Sequence, residues 1–510
     1  MKHYIICHDM GTSSDKAVMV DFEGNIVATA TAYYDTFYPQ PAWAEQDPLD
    51  YWQAVVANSN ELLAATKIDP SQVKGIVFTT QAMGVIPMAK DGQHLYNNIS
   101  WVDGRAGKQA TTLMNKVGGK AIFTLVAGTP IMGKDVVAKL QWIKEERPEI
   151  YQKTKYFLDV NGYLKYKCTG EMVAELSGAS SYGLDLKKKT WLSALKIIGL
   201  DMKKLPPLVK STDKIGQGLT PAAAKELGLE TGTPVFGGCD DVQSACIGSG
   251  KTEDGGIHIY LGTSAWVCAS TRTHTKFKNG AAAIASADPQ MNLIAGITEA
   301  AGSNLQWLIE QFFRKEKEEY GDDIFKHMDS LISKVPPGSD NLICTPWMLG
   351  ERCPVSDTTT RATLFNVNPE HTREHLMRAV YEGIGYNLRW ILENFRKDYN
   401  FSCNTFRIIG GGAQNRGWMQ IIADITGVEF EVLANPRNAG ALGGAIIALI
   451  GLGEITGFSE AGKFAKVQGV YKPNKANQAV YNKLFASYKD VYYGLKQAYK
   501  NANKERFESK

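Results

Sequence analysis

Long apolar runs, paired cysteines and a surplus of either charge are all missing from this chain of 510 residues. No stretch reaches the ~18 apolar residues of a membrane helix, and the apolar run before Asp9 is shorter than a signal peptide's hydrophobic region, so the chain reads as cytoplasmic. Its eight cysteines form no C-x-x-C pair, and Cys7, Cys268 and Cys344 lie in apolar runs, as buried reduced thiols do. A formal net charge of +3 gives neither nucleic acid nor a membrane surface an electrostatic handle. What remains, 44% hydrophobic and 21% charged residues, is the composition of a soluble globular protein long enough for two large domains. The Lys-rich C-terminal tail reads as a solvated helix end.

The chain is organised around residues 5–20. Two β-like apolar runs flank the turn Asp9-Met10-Gly11-Thr12-Ser13-Ser14, in which Gly11 permits unusual backbone angles and hydroxyls and bare amides can face an anion. Residues 257–268 repeat the plan as strand, Gly262-Thr263-Ser264, strand. Two such hairpins facing one cleft would hold a polyphosphate from both sides, which suits phosphoryl transfer. Only the first carries a carboxylate before its glycine, so Asp9 is the candidate for a phosphate-bound Mg²⁺. Gly-Thr-Ser is also an ordinary hairpin tripeptide.

The order of elements supports a duplicated α/β architecture. Residues 26–34 read as a third strand, Asp47-Pro48 opens a helix running to Ala65 with Asp as N-cap and Pro at the first turn, and residues 73–79 form a buried strand. This β-β-β-α-β-α order is that of a ribonuclease-H/actin-like ATPase domain, not of an alternating dinucleotide fold. Residues 107–234 read as mainly helical, with breaks at Thr169-Gly170 and Pro206-Pro207. Val235 then leads into Gly237-Gly238-Cys239-Asp240-Asp241, a strand running into a helix. A polar hinge at 250–256 divides the chain into domains 1–250 and 256–510. The second half repeats the plan: a third strand at 292–298, a helix at 299–313, strands at 406–409 and 429–433, and helices at 416–426 and 439–450.

Two tempting motifs fail. Gly248-Ser249-Gly250-Lys251-Thr252 lacks the P-loop's first glycine, Ala245 standing there, and it closes a helix where a strand should lead. Gly410-Gly411-Gly412-Ala413-Gln414-Asn415 has Asn at the third glycine of a dinucleotide fingerprint and no β-α-β unit around it.

In this order and spacing the motifs resemble the FGGY family of carbohydrate kinases, over nearly the whole chain to about Leu452. The matching stretches are residues 9–13 with Lys16, Trp101-Val102-Asp103-Gly104-Arg105, Gly237 to Asp241, Leu261 to Ser264, Ala301 to Trp307, Gly350-Glu351-Arg352-Cys353-Pro354, and Gly410 to Asn415 followed by Ala423-Asp424. The resemblance implies two actin-like domains with a cleft between them, sugar held mostly by the first and ATP mostly by the second. It puts the catalytic base on Asp240, where a carboxylate would accept the hydroxyl proton as the oxygen attacks the γ-phosphate. Capping a helix is the competing role for Asp240 and Asp241. Thr12, Ser13, Lys16, Gly262, Thr263 and Ser264 would touch phosphates. Gly302, Gln306, Gly411, Gly412 and Asn415 would line the nucleotide, and Asp9 would reach Mg²⁺ through water.

On the sugar side the resemblance implies Gln81, Ala82, Met83, Trp101, Asp103, Arg105, Asp240 and Asp241. A plain Asp103–Arg105 salt bridge is the alternative for that pair. The chain departs from the xylulokinase-like branch at Gln81-Ala82-Met83-Gly84, where relatives carry Gln-Met-His-Gly, and at Asp241, where they carry Asn or Gln. Gly128-Thr129-Pro130-Ile131 resembles the gluconate branch, and Lys134 would face either an anionic substrate or solvent. The reading is an ATP- and Mg²⁺-dependent kinase acting on a terminal hydroxyl of a pentulose such as xylulose, with an aldonate or alditol kinase as alternative and a non-catalytic actin-like sensor more remote. A homodimer is left open.

Overall fold

The computed structural model describes residues 2–120, 122–123, 130–273, 278–402 and 405–503. The first sheet is built from β1 (Tyr4–Met10), β2 (Ser14–Asp21), β3 (Ile26–Tyr33), β4 (Val73–Thr80) and the short β5 (Cys239–Asp240). Its order is β3-β2-β1-β4-β5: the hairpin and third strand are antiparallel, while β1, β4 and β5 run parallel. Helix α1 (Pro48–Thr66) follows β3, with the Asp47 carboxylate accepting from the Leu49 N–H and Pro at the first turn, as its sequence dictates.

The second sheet repeats that plan with β6 (Ile257–Leu261), β7 (Ala265–Thr271), β8 (Ala282–Ala285), β9 (Asn292–Ile297), β10 (Thr405–Ile409), β11 (Glu429–Leu433) and β12 (Val467–Tyr471). Its central order β9-β7-β6-β10-β11 has the same pairing directions as the first sheet, with β8 and β12 added as antiparallel edges. The α/β expectation of two ribonuclease-H-like sheets therefore holds, and the internal repeat is real. Among the described residues no helix is long and apolar enough to cross a membrane. The seven described cysteines are buried and free; Cys403 lies outside the described residues.

Sequence reading missed several elements. The β8 edge is alanine-rich and gave no strand signal. The stretch beyond Leu452, for which the sequence gives only a solvated helix end at its Lys-rich terminus, supplies β12 and a 26-residue helix, Gln478–Asn503. That helix buries Tyr481, Tyr488 and Tyr492 against the 27-residue helix Arg373–Tyr399, which sequence reading also passed over, and its lysines are the solvent face. Tyr488 meets Trp347 at 5.5 Å between ring centroids.

The sheets are joined by an exchange of helices. The helix Asp241–Ser249 leaves the first sheet, yet its Val242, Ala245 and Cys246 pack with Trp266, Cys268 and Ile409 of the second. The helix Ala439–Leu452 leaves the second sheet and packs Ala441, Ala445 and Ile446 on Ile5, Cys7 and Val77 of the first. They cross backbone to backbone. A Cβ at Gly443 would lie 2.0 Å from the Ser244 carbonyl oxygen, and one at Gly248 would lie 1.7 Å from that of Ala439. No rotamer relieves a clash with a carbonyl, so Gly443→Ala is expected to cost about 2–3 kcal/mol or more. The urea midpoint measures it; an unchanged midpoint would mean that the crossing tolerates separation.

Candidate active site

The candidate site starts from strand register. Asp9 and Cys239 both pair with Thr79, and one step further Met10 and Asp240 both pair with Thr80. Asp9 and Asp240 therefore stand at the carboxyl edge of three adjacent parallel strands, about 10 Å apart in backbone terms at the ~4.8 Å strand spacing. Open α/β sheets hold their ligands at that edge.

Electrostatics make this edge unusual. Asp9 Oδ1 accepts from Thr79 Oγ1 at 2.9 Å, and burial pushes its pKa up against the opposing pull of Lys16, its partner across the hairpin. Burial, and then the charge of Asp9, push Asp241 up to about 7. Burial followed by the neighbouring Asp241 drives Asp240 well above the ordinary carboxylate range. Asp240 also caps its helix, Oδ1 accepting from the Gln243 N–H at 2.9 Å, so the capping role read from sequence is real and leaves Oδ2 unassigned. Behind it, the Asp240 N–H donates to Ser177 Oγ at 3.0 Å, and Ser177 in turn bonds Glu175.

This carboxylate edge is short of positive charge. Among the described residues no group of three or more His, Cys, Asp or Glu side chains is arranged to hold an ion unaided. Few protein oxygens near a negative edge suit Mg²⁺, which keeps waters and takes phosphate oxygens as its other ligands.

Each hairpin presents hydroxyls at such an edge. In the first, the Gly11 N–H donates to Ser14 O at 2.9 Å, and Tyr34 OH clamps Gly11 O and Ser14 O at 2.5 and 3.1 Å. Gly11 is not in the left-handed region, and the tyrosine clamp closes the turn. Ser13 is exposed and Thr12 half-buried. In the second, the Gly262 N–H donates to Ser264 O at 2.9 Å and Thr263 is exposed. Thr263 O accepts from the Ala301 and Ser303 N–H groups, and Gly302 N–H donates to Gly262 O at 3.0 Å. The N-terminus of the helix Gly302–Phe312 is thus pinned on the hairpin, where a Cβ at Gly302 would meet Gly262 O at 2.5 Å.

The other residues expected to line the nucleotide separate into open and occupied positions. A Cβ at Gly411 would meet nothing within 4 Å, whereas one at Gly412 would strike Trp418 and Leu261. Asn415 is buried as the N-cap of the helix Arg416–Thr426, its Oδ1 accepting from the Trp418 N–H at 2.7 Å and its Nδ2 3.3 Å from Tyr381 OH. Gln306 is exposed and bonds Glu310 at 3.0 Å.

Among the residues expected to face the sugar, Trp101 Nε1 donates to Thr12 Oγ1 at 2.9 Å, tying that stretch to the first hairpin. Gln81 N–H donates to Met10 O at 2.7 Å, and its Nε2 reaches Gln46 Oε1 at 3.0 Å. Gln46 Nε2 donates to Thr12 O at 2.6 Å, closing a buried path between hairpin and loop. Ala82 and Met83 follow, Met83 at φ 63°. Asp103 and Arg105 face each other: Arg105 Nε lies 3.0 and 2.9 Å from the two Asp103 oxygens, its terminal nitrogen 2.9 Å from Glu45, and its guanidinium 3.8 Å above the Trp43 ring. Both side chains are fully buried, so this is an internal ion cluster and not a surface bridge.

Comparison with known proteins decides the family. Residues 4–248 match the model for the FGGY family of carbohydrate kinases, N-terminal domain, and residues 257–452 that of its C-terminal domain. The chain belongs to the FGGY family of carbohydrate kinases. Among curated relatives of this FGGY kinase, the xylulose kinase of Staphylococcus epidermidis is 30% identical over 98% of each chain. Among solved structures, a ligand-bound xylulose kinase from Lactobacillus acidophilus superposes with a TM-score of 0.88 at 26% identity, covering 98% of this chain and 99% of that one. A gluconate kinase from the same organism gives the same TM-score, identity and coverage.

Some residues of the FGGY kinase behave differently from their sequence reading. Lys134 is part-buried and ion-paired: its Nζ lies 3.0 Å from Glu299 in the second half, which also takes Arg352 Nε at 3.0 Å. Glu351 orients that group by accepting from the Glu299 N–H at 2.9 Å. Gly128 and Thr129 lie outside the described residues. Thr79, Gln46, Ser177 and Glu175 were missed. Thr79 was findable, because a buried parallel strand beside β1 must end near Asp9, but nothing local marks the other three.

Proposed function

We propose that this kinase transfers the γ-phosphoryl group of ATP to a terminal hydroxyl of a pentulose such as xylulose, with Asp240 as general base. The observation that carries this reading is the shared carboxyl edge of β1, β4 and β5, which sets a buried carboxylate of raised pKa beside a second carboxylate at the root of a hydroxyl-bearing hairpin. Asp240 takes the hydroxyl proton as the oxygen attacks. Thr12, Ser13, Lys16, Thr263 and Ser264 hold the phosphates, and Gly262 and Gly302 fix the second hairpin on its helix. Gly411 leaves room along the nucleotide, Gly412 and Asn415 shape that wall from behind, and Gln306 lies at its rim. Asp9, with Asp241 close by, would hold Mg²⁺, which would supply neutralisation of the phosphate charge. Trp101 and the Gln81-Ala82-Met83 loop form the sugar wall, supported from behind by Asp103 and Arg105. The enzyme works in the cytoplasm, where ATP is available.

An aldonate is the second reading, favoured by Met83 in place of a polar residue and by two cations, Lys134 and Arg352, sharing one carboxylate. A coupled ADP-release assay across ketopentoses, alditols and aldonates separates the two. The expected result is a kcat/KM for a ketopentose at least about tenfold above that for gluconate, a difference of ~1.4 kcal/mol in transition-state binding. Preference for gluconate would transfer the assignment to the second reading.

A further inference from the structure

Lys139, on the helix Val136–Glu146, is a lysine with no solvent exposure. Its ammonium donates to two backbone carbonyls, Met83 O at 3.0 Å and Ser100 O at 2.7 Å, and not to a carboxylate. Burying a charge in this way costs several kcal/mol, and an apolar side chain of the same length would avoid that cost. Burial draws its pKa down to about 7, against the upward pull of Asp103 and Asp135, with Arg105 and Lys134 adding to the fall. A group so expensive to bury, with its donors spent on loop carbonyls, is explained by what it holds in place.

The two carbonyls belong to separate loops. Met83 lies in the loop following β4, and Ser100 opens the stretch that carries Trp101, Asp103 and Arg105. Met83 has φ 63°, a left-handed conformation that costs a non-glycine residue ~1–2 kcal/mol. The adjoining Gly84 is pinned too: Tyr182 OH donates to its carbonyl at 2.6 Å, and a Cβ there would meet Asn98 Oδ1 at 2.6 Å. The ammonium is thus a bracket between the strained loop and the tryptophan stretch, behind both.

We propose that Lys139 is a positioning residue for the sugar: by binding the Met83 and Ser100 carbonyls it sets the spacing of the two loops and so the placement of Met83 and Trp101 in the cleft. The inference rests on the sugar-wall assignment made above. A purely fold-stabilising Lys139 would affect both substrates alike, whereas a positioning role affects the sugar alone.

Lys139→Met tests it, keeping the length and removing charge and donors. With D-xylulose and ATP varied in turn, the sugar KM is expected to rise about tenfold or more, as misplacement of a binding wall by a fraction of an ångström does. The KM for ATP should stay within about twofold, and the urea midpoint, read alongside, confirms that the variant is folded under the assay conditions although two carbonyls have lost their donor. Trp101→Ala is assayed alongside. If Trp101→Ala raises the sugar KM and folded Lys139→Met does not, the Lys139 proposal is overturned while the sugar wall stands. If neither moves it, the wall assignment fails and takes the proposal with it. A parallel rise in both KM values would show general loosening and also overturn it. Should Lys139→Met not fold, Lys139→Gln, which keeps an amide NH₂ without the charge, is read by the same split.

Discussion

Asp240→Asn is expected to lower kcat by about 10²–10⁴-fold while leaving the KM for ATP within about twofold, since on the proposed assignment it removes the general base and little else. The variant isolates that role because the helix cap survives: an asparagine oxygen can accept from the Gln243 N–H as the carboxylate does, and Asn and Asp are equivalent N-caps. Stability should move the opposite way. In the folded chain burial and Asp241 hold the Asp240 pKa above its unfolded value, so this carboxyl favours the folded state at low pH, and that contribution is lost as pH rises through the raised pKa. Asparagine does not titrate, so the variant should gain on the wild type in urea midpoint as pH rises from 5 to 8. A second consequence concerns Asp241. Replacing it by Asn removes the like charge, lowers the Asp240 pKa and should shift the acid limb of kcat/KM for the sugar to lower pH. An Asp240→Asn enzyme with undiminished kcat would refute the assignment of the base.

The parts of this enzyme legible in sequence are those whose chemistry is local. Asp47-Pro48 announces a helix start because cap and ring both act within one turn. The paired Gly-Thr-Ser hairpins are visible because strand, turn and strand are contiguous, and their duplication carried the prediction of two like sheets. Arg416–Thr426 and Glu429–Leu433 were read to the residue, each having a clear period and an Asn or Gly at its boundary. The rest depends on partners far away in the chain. Asp103 and Arg105 read as sugar-binding groups or a plain salt bridge until Glu45 and Trp43 are folded against them. Lys134 gains its meaning only from Glu299, which lies 165 positions on. The exchange of helices between sheets also escapes a linear reading, which saw each helix as part of the half that contains it.

Arg105→Met should be the most destabilising change on the sugar side, at about 3–5 kcal/mol, because it leaves buried carboxylates without their cation. Asp103 would keep its bonds from the Ala44 N–H at 2.6 Å and the residue 105 N–H at 2.9 Å, but lose both Arg105 nitrogens that face it; Glu45 would lose its cation and keep only Tyr96 and Asn97. Arg105→Lys should fall between the variant and the wild type, since an ammonium keeps the charge but neither grips both Asp103 oxygens nor lies flat on Trp43. The decisive measurement is a double-mutant cycle: Asp103→Asn/Arg105→Met should be more stable than Arg105→Met alone, because the second change removes the charge that the first one stranded. Strict additivity would mean that Arg105 contributes packing and not charge compensation. Activity adds an independent check. If Asp103 and Arg105 support the wall from behind and do not touch the sugar, Arg105→Lys, assayed well below its unfolding midpoint, should keep kcat and raise the sugar KM only modestly, by about threefold or less; loss of kcat matching that of Asp240→Asn would instead place the guanidinium on the substrate.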